Sequence, residues 1–238
     1  MLTIHRSQHP LEEASAQLNT LLHEACGKDI LLLLSGGSAL ALTDHLDTSL
    51  LGPHVTVSVL DERWTYEETD SNFAQLVALP FWHKALKAGV AYIDPRPHEP
   101  ENVHDTAKRF DLALKHWHVT HRNGVVLATV GIGEDGHVAG VLPMPHEQKM
   151  FSALFLHTTT CIRGYTTLPT QTNRHTKRTT VTLTYMRRHV NHAVVYAVGA
   201  DKQNAIKALA TDTSLCAVPC RILEDMRMAA LFTDKHIT

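Results

Sequence analysis

The sequence predicts an α/β fold with a doubly wound, mostly parallel sheet, flanking helices and a more strand-rich C-terminal part. Strand-sized apolar segments alternate with segments of helical periodicity, as in repeated βα units. The segment 29–34 is a continuous apolar run, which is typical of a parallel strand buried on both faces. Polar or glycine-rich turns follow three predicted strands, where ligands bind in such sheets.

The first 150 residues contain most of the βα rhythm. Leu11, Leu18 and Leu22 share one helical face, and Pro10 suits the start of that helix. The predicted elements are, in order, a helix at 11–26, a strand at 29–34, a helix at 39–46, a strand at 55–60, a helix at 71–79, a strand at 90–93, a helix at 102–117 and a strand at 125–130.

The remainder of the chain is richer in predicted strands. They lie at 153–159, 179–184, 193–198 and 229–232, with one helix at 201–210. The polar segment from 162 to 177 has no periodicity, so we expect a long surface loop, a feature that is often functional.

Composition limits the classes of protein to which the chain can belong. The chain has 238 residues, 44% of them hydrophobic, and a net charge of −2. We expect a single domain spanning residues 1–238, without the broad basic surface that nucleic acids require. No apolar run approaches the ~20 residues that span a membrane. Because no secretory signal is visible and the four cysteines lack zinc spacing, we expect a cytoplasmic protein with reduced thiols. Protein partners cannot be inferred.

Histidine is unusually frequent, with 18 copies. His116, His118 and His121 lie near the end of a predicted helix and could be read as a metal site. We favour a polar surface, where imidazolium suits the helix C-terminus, because a catalytic zinc site needs three supported ligands. The sequence therefore predicts neither a metal nor another cofactor.

The first functional turn consists of Ser35, Gly36, Gly37 and Ser38, directly after a predicted strand. Two glycines let the backbone approach a ligand, and the N-terminus of the following helix favours an anion such as phosphate. The turn lacks the Gly-Lys-Ser/Thr of a Walker loop. It also lacks the Gly-x-Ser-x-Gly elbow of a serine hydrolase.

The segment GIGEDGH at 131–137 formally matches G-x-G-x-x-G. A dinucleotide site is disfavoured, because Glu134 and Asp135 would repel a pyrophosphate and Pro143 leaves little room for a helix. Asp135 and His137 instead place a carboxylate beside an imidazole on a tight turn. Histidine is the usual general base near neutral pH, and a carboxylate can fix its tautomer.

The third turn, Asp61-Glu62-Arg63, follows the strand at 55–60 and would bring a cation to the same edge of the sheet. Taken alone, it would be interpreted as a solvated surface turn.

Together these segments resemble the 6-phosphogluconolactonase family, part of a larger group that includes glucosamine-6-phosphate deaminase. The family pattern is Gly-Gly-Ser, then Asp-Glu-Arg with Ser-Asn, then Gly-x-Gly-x-Asp-Gly-His. This chain has SGGS at 35–38, DERW at 61–64 with Ser71-Asn72, and GIGEDGHVAGVLP at 131–143. Arg178 in KRTTVTLT and Lys202 in a Gly-x-x-Lys turn match two later features.

The resemblance implies hydrolysis of 6-phospho-D-glucono-1,5-lactone to 6-phosphogluconate, a step of the pentose phosphate pathway, without metal or cofactor. His137 would activate water and Asp135 would orient it. The implied substrate- and phosphate-binding residues are Ser35, Gly36, Gly37, Ser38, Asp61, Arg63, Gly133, Arg178 and Lys202.

Two segments depart from the family pattern. Ala39-Leu40 replaces Thr-Pro after the first turn, and Gly140 replaces a serine. The second change removes a polar contact but leaves the acid–base pair intact.

Two alternatives to a lactonase remain. A glucosamine-6-phosphate deaminase or isomerase would have Asp-Glu-Tyr and an acid after its histidine, whereas this chain has Arg63 and Gly140-Val141-Leu142-Pro143. A non-catalytic sugar-phosphate sensor would need a DNA-binding domain, for which the ~28 residues before the first predicted strand are too few.

Overall fold

The computed structural model describes residues 1–169 and 173–236. Within these residues the chain forms ten strands. They are β1 (Leu2–Arg6), β2 (Ile30–Leu34), β3 (Val55–Val59), β4 (Asp61–Arg63), β5 (Ala91–Tyr92), β6 (Val125–Gly131), β7 (Ile162–Thr166), β8 (Lys177–Val181), β9 (His192–Tyr196) and β10 (Ala229–Thr233).

The described residues also form eight α-helices. They are α1 (Pro10–Glu24), α2 (Asn72–Val77), α3 (Pro80–Lys87), α4 (Val103–Thr120), α5 (Gln148–Phe151), α6 (Leu183–His189), α7 (Gln203–Ala208) and α8 (Ile222–Asp225). Four 3₁₀ segments lie at Gly37–His45, Thr48–Leu50, Ala200–Lys202 and Pro219–Arg221, and a π-helical segment lies at Ser152–Leu156. No helix in the described part of the chain is long and apolar enough to cross a membrane.

Seven strands form one sheet in the order β1-β10-β9-β6-β2-β3-β5, and every neighbouring pair in it is parallel. After β2 the chain builds outward through β3 and β5, then returns to the other side of β2 with β6. The strand order therefore reverses between β2 and β6, and this switch point is where ligands bind in open α/β sheets. The predicted doubly wound sheet is confirmed.

The alternation of side chains along β2 produces two apolar cores. Leu31 and Leu33 face one core together with α4, while Ile30, Leu32 and Leu34 face the other together with α1. All five side chains are buried because helices cover both faces of the sheet.

A second, antiparallel sheet has the order β4-β8-β7 and corrects two predictions. Asp61–Arg63 is a short strand paired with β8, not a turn. Part of the predicted loop at 162–177 is strand β7, whose Gly164 packs so closely on α4 that an added Cβ would lie 2.4 Å from the Val103 carbonyl oxygen. Residues 170–172 of that predicted loop lie outside the described residues.

The predicted strand at 153–159 is wrong, because α5 continues into the π-helical segment Ser152–Leu156. Phe151 and Phe155 then share one face, and their ring centroids pack 5.2 Å apart in the core. The predicted strand at 179–184 ends early, at Val181. The Thr182 hydroxyl accepts a hydrogen bond from the Tyr185 N–H and starts α6 there.

Candidate active site

A cavity of about 590 Å³ opens at the switch point, between the turns that follow β2 and β6. Ten of the eleven predicted site residues line it, and Asp135 lies behind His137. Residues from sequence positions 35 to 202 therefore converge on one cavity. Its volume is in the range that small-molecule sites require.

His137 and Asp135 form a hydrogen-bonded pair. The imidazole Nδ1 lies 2.6 Å from Asp135 Oδ1, and the same oxygen accepts the His137 backbone N–H at 3.1 Å. Burial raises the pKa of Asp135, but the hydrogen bonds from His137 outweigh it and the net pKa is lowered. Because Nδ1 faces an ionised carboxylate, Nε2 is the nitrogen left for proton transfer.

Two glycines make this turn possible. A Cβ on Gly133 would lie only 2.0 Å from His137 Nδ1, so the imidazole occupies the space that any larger residue would fill. Gly136 has a φ of +82°, in the left-handed region that favours glycine. Residues after a buried strand thus bend sharply enough to present His137 to the cavity.

The SGGS turn is followed by the 3₁₀ segment Gly37–His45 instead of the predicted α-helix. The SGGS turn itself is held in place by contacts with β6 and with α2. The Ser35 N–H donates to the Thr129 hydroxyl at 3.0 Å, which ties the end of β2 to β6. A Cβ on Gly36 would lie 2.2 Å from Asn72 Oδ1, so glycine permits close contact with α2.

Glu62 holds the N-terminal end of α2 in place. Its buried carboxylate accepts hydrogen bonds from the Ser71 hydroxyl and from the backbone N–H groups of Arg63, Asn72 and Phe73, all at 2.7–2.8 Å. Burial raises the pKa of Glu62 to about 7, although these four bonds oppose the shift. Glu62 therefore positions Asn72 against the SGGS turn.

Two arginines lie side by side on adjacent strands of the second sheet. Arg63 and Arg178 are direct partners in the β4–β8 pairing, so both point to the cavity side. Asp61, two residues before Arg63, lies on the same face, and its Oδ2 is 3.7 Å from Arg178 Nη1. Two like charges opposite one another repel unless an anion lies between them. The pair therefore favours an anionic ligand.

Lys202 reaches the same cavity from the opposite side of the switch point. It ends the 3₁₀ segment after β9, where Gly199 adopts a φ of +105°. Its Nζ lies 2.8 Å from Asp201 Oδ2, and the lysine side chain is mostly buried. The predicted Gly-x-x-Lys turn thus places a third cation in the cavity.

The segment before β8 also contributes to the cavity, although none of its residues was predicted as a site residue. Asn173, Arg174 and His175 line the cavity, and Arg174 Nη2 contacts Asp70 Oδ1 at 2.5 Å across the opening. Asn173 Oδ1 accepts from Arg178 Nη2 at 2.6 Å. The polarity of this predicted loop was a signal that it borders a site, but not of which residues do.

The close packing around Gly140 explains why glycine replaces the serine of the family pattern there. An added Cβ would lie 2.9 Å from Thr180 Cβ and 3.0 Å from Asp61 Cβ, so a serine would not fit. The Gly140 N–H donates to the Thr180 hydroxyl at 3.0 Å, and its carbonyl oxygen accepts from the Tyr165 hydroxyl. The turn that carries His137 therefore packs directly on the second sheet.

The histidines at the end of α4 do not converge. His118 contacts the buried Tyr185 hydroxyl at 3.1 Å, and His121 stacks on Trp117. Across residues 1–169 and 173–236, no group of three histidine, cysteine, aspartate or glutamate residues could hold a metal ion.

The chain is similar to known proteins along almost its whole length. The family model described as glucosamine-6-phosphate isomerases/6-phosphogluconolactonase matches residues 6–232. A 6-phosphogluconolactonase structure from Shewanella baltica is 19% identical, with a TM-score of 0.77, covering 99% of this chain and 97% of that one. A 6-phosphogluconolactonase from Trypanosoma brucei is also 19% identical, with a TM-score of 0.70 and coverage of 100% and 96%.

The 6-phosphogluconolactonase structure from Leishmania guyanensis is 22% identical, with a TM-score of 0.69, covering 98% of this chain and 96% of that one. No curated protein matches the sequence. At these identities the structural likeness establishes a shared fold.

Proposed function

The chain belongs to the glucosamine-6-phosphate isomerase/6-phosphogluconolactonase family, and from this membership we propose that it hydrolyses 6-phospho-D-glucono-1,5-lactone to 6-phosphogluconate. One observation carries the proposal: a single cavity is lined by both an oriented imidazole and four cationic side chains. Such a cavity suits a small substrate with a phosphoryl group at one end and a carbonyl group at the other.

Lactone hydrolysis needs an activated water and a stabilised oxyanion. In the proposed mechanism, His137 Nε2 takes a proton from water as the water oxygen bonds to C1 of the lactone. Asp135 stabilises the imidazolium through Nδ1. The bond between C1 and the ring oxygen then breaks, and the ring oxygen takes the proton from His137. Backbone N–H groups of the glycine turns are candidate donors to the oxyanion.

The phosphoryl group would bind Arg63, Arg178 and Lys202, with the backbone of the SGGS turn. Charge-assisted hydrogen bonds to phosphate are the strong kind, and they are strongest where water is partly excluded. A chain of net charge −2 can still hold an anion, because Arg63, Arg178 and Lys202 line the same cavity.

The site favours this reaction over deamination or isomerisation of an amino sugar phosphate. Gly140 has no space for a side chain, and no acid occurs from Gly140 to Pro143, so that segment supplies no carboxylate for ring opening. The intact His137–Asp135 pair favours catalysis over sensing, because a sensor needs no oriented base.

The decisive assay follows loss of freshly made 6-phosphogluconolactone, corrected for spontaneous hydrolysis. Glucosamine-6-phosphate is tested in parallel, with ammonia release as the readout. We expect lactone loss to accelerate and no ammonia to appear. Ammonia release without lactone hydrolysis would establish the deaminase instead, and binding without either reaction would establish a sensor.

A further inference from the structure

His175 lines the cavity near Arg63 and Arg178 and has no role in the mechanism above. It precedes β8 by two residues, and its largely buried side chain lines the cavity. Its Nε2 accepts a hydrogen bond from Arg174 Nε at 3.1 Å and lies 3.9 Å from Asp70 Oδ1. The imidazole is therefore held in place, and its Nε2 carries no proton because it accepts this hydrogen bond.

The charged groups that act on His175 come from β4, from β8 and from the loops beside them. Arg63 from β4, Arg178 from β8 and the adjacent Arg174 are cationic, whereas Asp70 is the facing carboxylate. Arg63 is anchored to the same residue, because its Nη1 donates to the Asp70 carbonyl oxygen at 2.9 Å. Burial lowers the pKa of His175, and the nearby arginines add to that shift against the opposing effect of Asp70.

We propose that His175 is a specificity-determining residue that binds the phosphoryl group of the substrate as an imidazolium, taking up a proton when the ligand binds. This inference rests on the proposed lactonase function and extends it. The arginines that disfavour a charged imidazole at His175 are the groups that a phosphoryl dianion would neutralise. Binding of the dianion reverses the electrostatic balance at His175.

The hydrogen bonds around His175 also favour its protonation when the ligand binds. A proton on Nε2 turns this atom from acceptor to donor, so the bond from Arg174 Nε is lost. Two donors then face the cavity side by side, and one phosphoryl oxygen can accept from both. Arg174 keeps its place through Nη2 and Asp70.

Proton linkage fixes the direction of the pH effect. The His175 pKa is lowered in the free protein and raised in the complex, so the complex binds more protons between these two values. Affinity for a phosphoryl dianion therefore rises as the pH falls through this window. The window closes below about pH 6, where the phosphoryl group itself is protonated.

The test is isothermal titration of the protein with 6-phosphogluconate and with sulfate, a dianion that does not titrate near neutral pH. Two buffers of different ionisation enthalpy give the number of protons taken up. His175→Gln and His175→Asn are compared with His104→Gln, a matched change at an exposed histidine of α4 outside the cavity.

We expect proton uptake in the wild type and in His104→Gln, and its loss in both His175 variants. Affinity for 6-phosphogluconate should fall roughly tenfold near pH 6.5 and much less near pH 8.5 in the His175 variants, as for loss of a charged hydrogen bond. KM for the phosphorylated lactone should rise while kcat and turnover of unphosphorylated gluconolactone stay unchanged.

Unchanged proton uptake in the His175 variants would overturn the inference, as would an equal loss of affinity at both pH values. Either result could accompany full lactonase activity, which would leave the proposed function intact. Conversely, a protein without lactonase activity that still shows uptake dependent on His175 would refute the function and keep the anion site. A wild type that binds neither ligand would refute both.

Discussion

Replacing Gly133 by alanine tests whether the position of His137 sets the rate. The added Cβ would lie 2.0 Å from His137 Nδ1 and 2.1 Å from Cε1, whereas ordinary contacts begin at 3.4 Å. The ring must therefore move by more than about 1 Å, and a displacement of that size can cost roughly 10²-fold in rate. It also breaks the 2.6 Å bond to Asp135.

The assay is kcat and KM of Gly133→Ala on fresh 6-phosphogluconolactone, with thermal unfolding measured alongside. We expect kcat to fall by about 10²-fold or more while the protein stays folded. Gly52→Ala is the matched control, because its Cβ would also meet a histidine ring, at 3.1 Å from His54 Nδ1, but away from the cavity. Wild-type turnover in Gly133→Ala would refute the reasoning.

Three further outcomes are expected. Lys202→Met should weaken phosphorylated ligands roughly 10–150-fold and spare unphosphorylated gluconolactone, as loss of a charged hydrogen bond would; equal loss for both in steady-state kinetics would make Lys202 structural. Prolonged chelation should leave turnover unchanged, because no described cluster offers three metal ligands; activity restored by zinc would contradict this. Burial, then His189, lowers the pKa of His118 to about 4 from 6.5, so the free energy of unfolding should fall as the pH drops between these values. Because His118 is only half buried, the effect should stay below about 2 kcal/mol, and denaturant titrations of His118→Gln should show a smaller fall.

The central strands were predictable because burial on both faces leaves a continuous apolar run. β2 and β6 begin and end within one residue of the predicted bounds. α4 was also predictable, because Asn102 and Asp105 form a capping box at its start. In such elements the local pattern and the tertiary environment agree.

Of the elements that were missed or misassigned, β1 and β4 depend on distant partners, whereas α6 depends on a local helix cap. β1 was not predicted, because it exists by pairing with β10 at the far end of the chain. β4 has only three residues and is a strand because β8 lies beside it. α6 begins in a run of β-branched residues that favours a strand, and the Thr182 cap overrides that preference.

The site was predicted to the extent that it lies at strand ends. Residues from the turns after β2 and β6 met because carboxyl ends of parallel strands share one edge. The contribution of Arg174 and His175 could not be predicted. Asp70 and Arg174 are 104 positions apart and are brought together by the pairing of β4 with β8.

The most direct test of the central claim is the turnover of His137→Asn on fresh 6-phosphogluconolactone, beside the wild type and corrected for spontaneous hydrolysis. The account predicts that the wild type accelerates hydrolysis and that the variant loses roughly 10²–10⁴-fold of that rate. Binding of 6-phosphogluconate, measured by calorimetry, should persist in the variant, because the cations of the cavity are unchanged. Near wild-type turnover by His137→Asn would contradict the assignment of His137 as the general base.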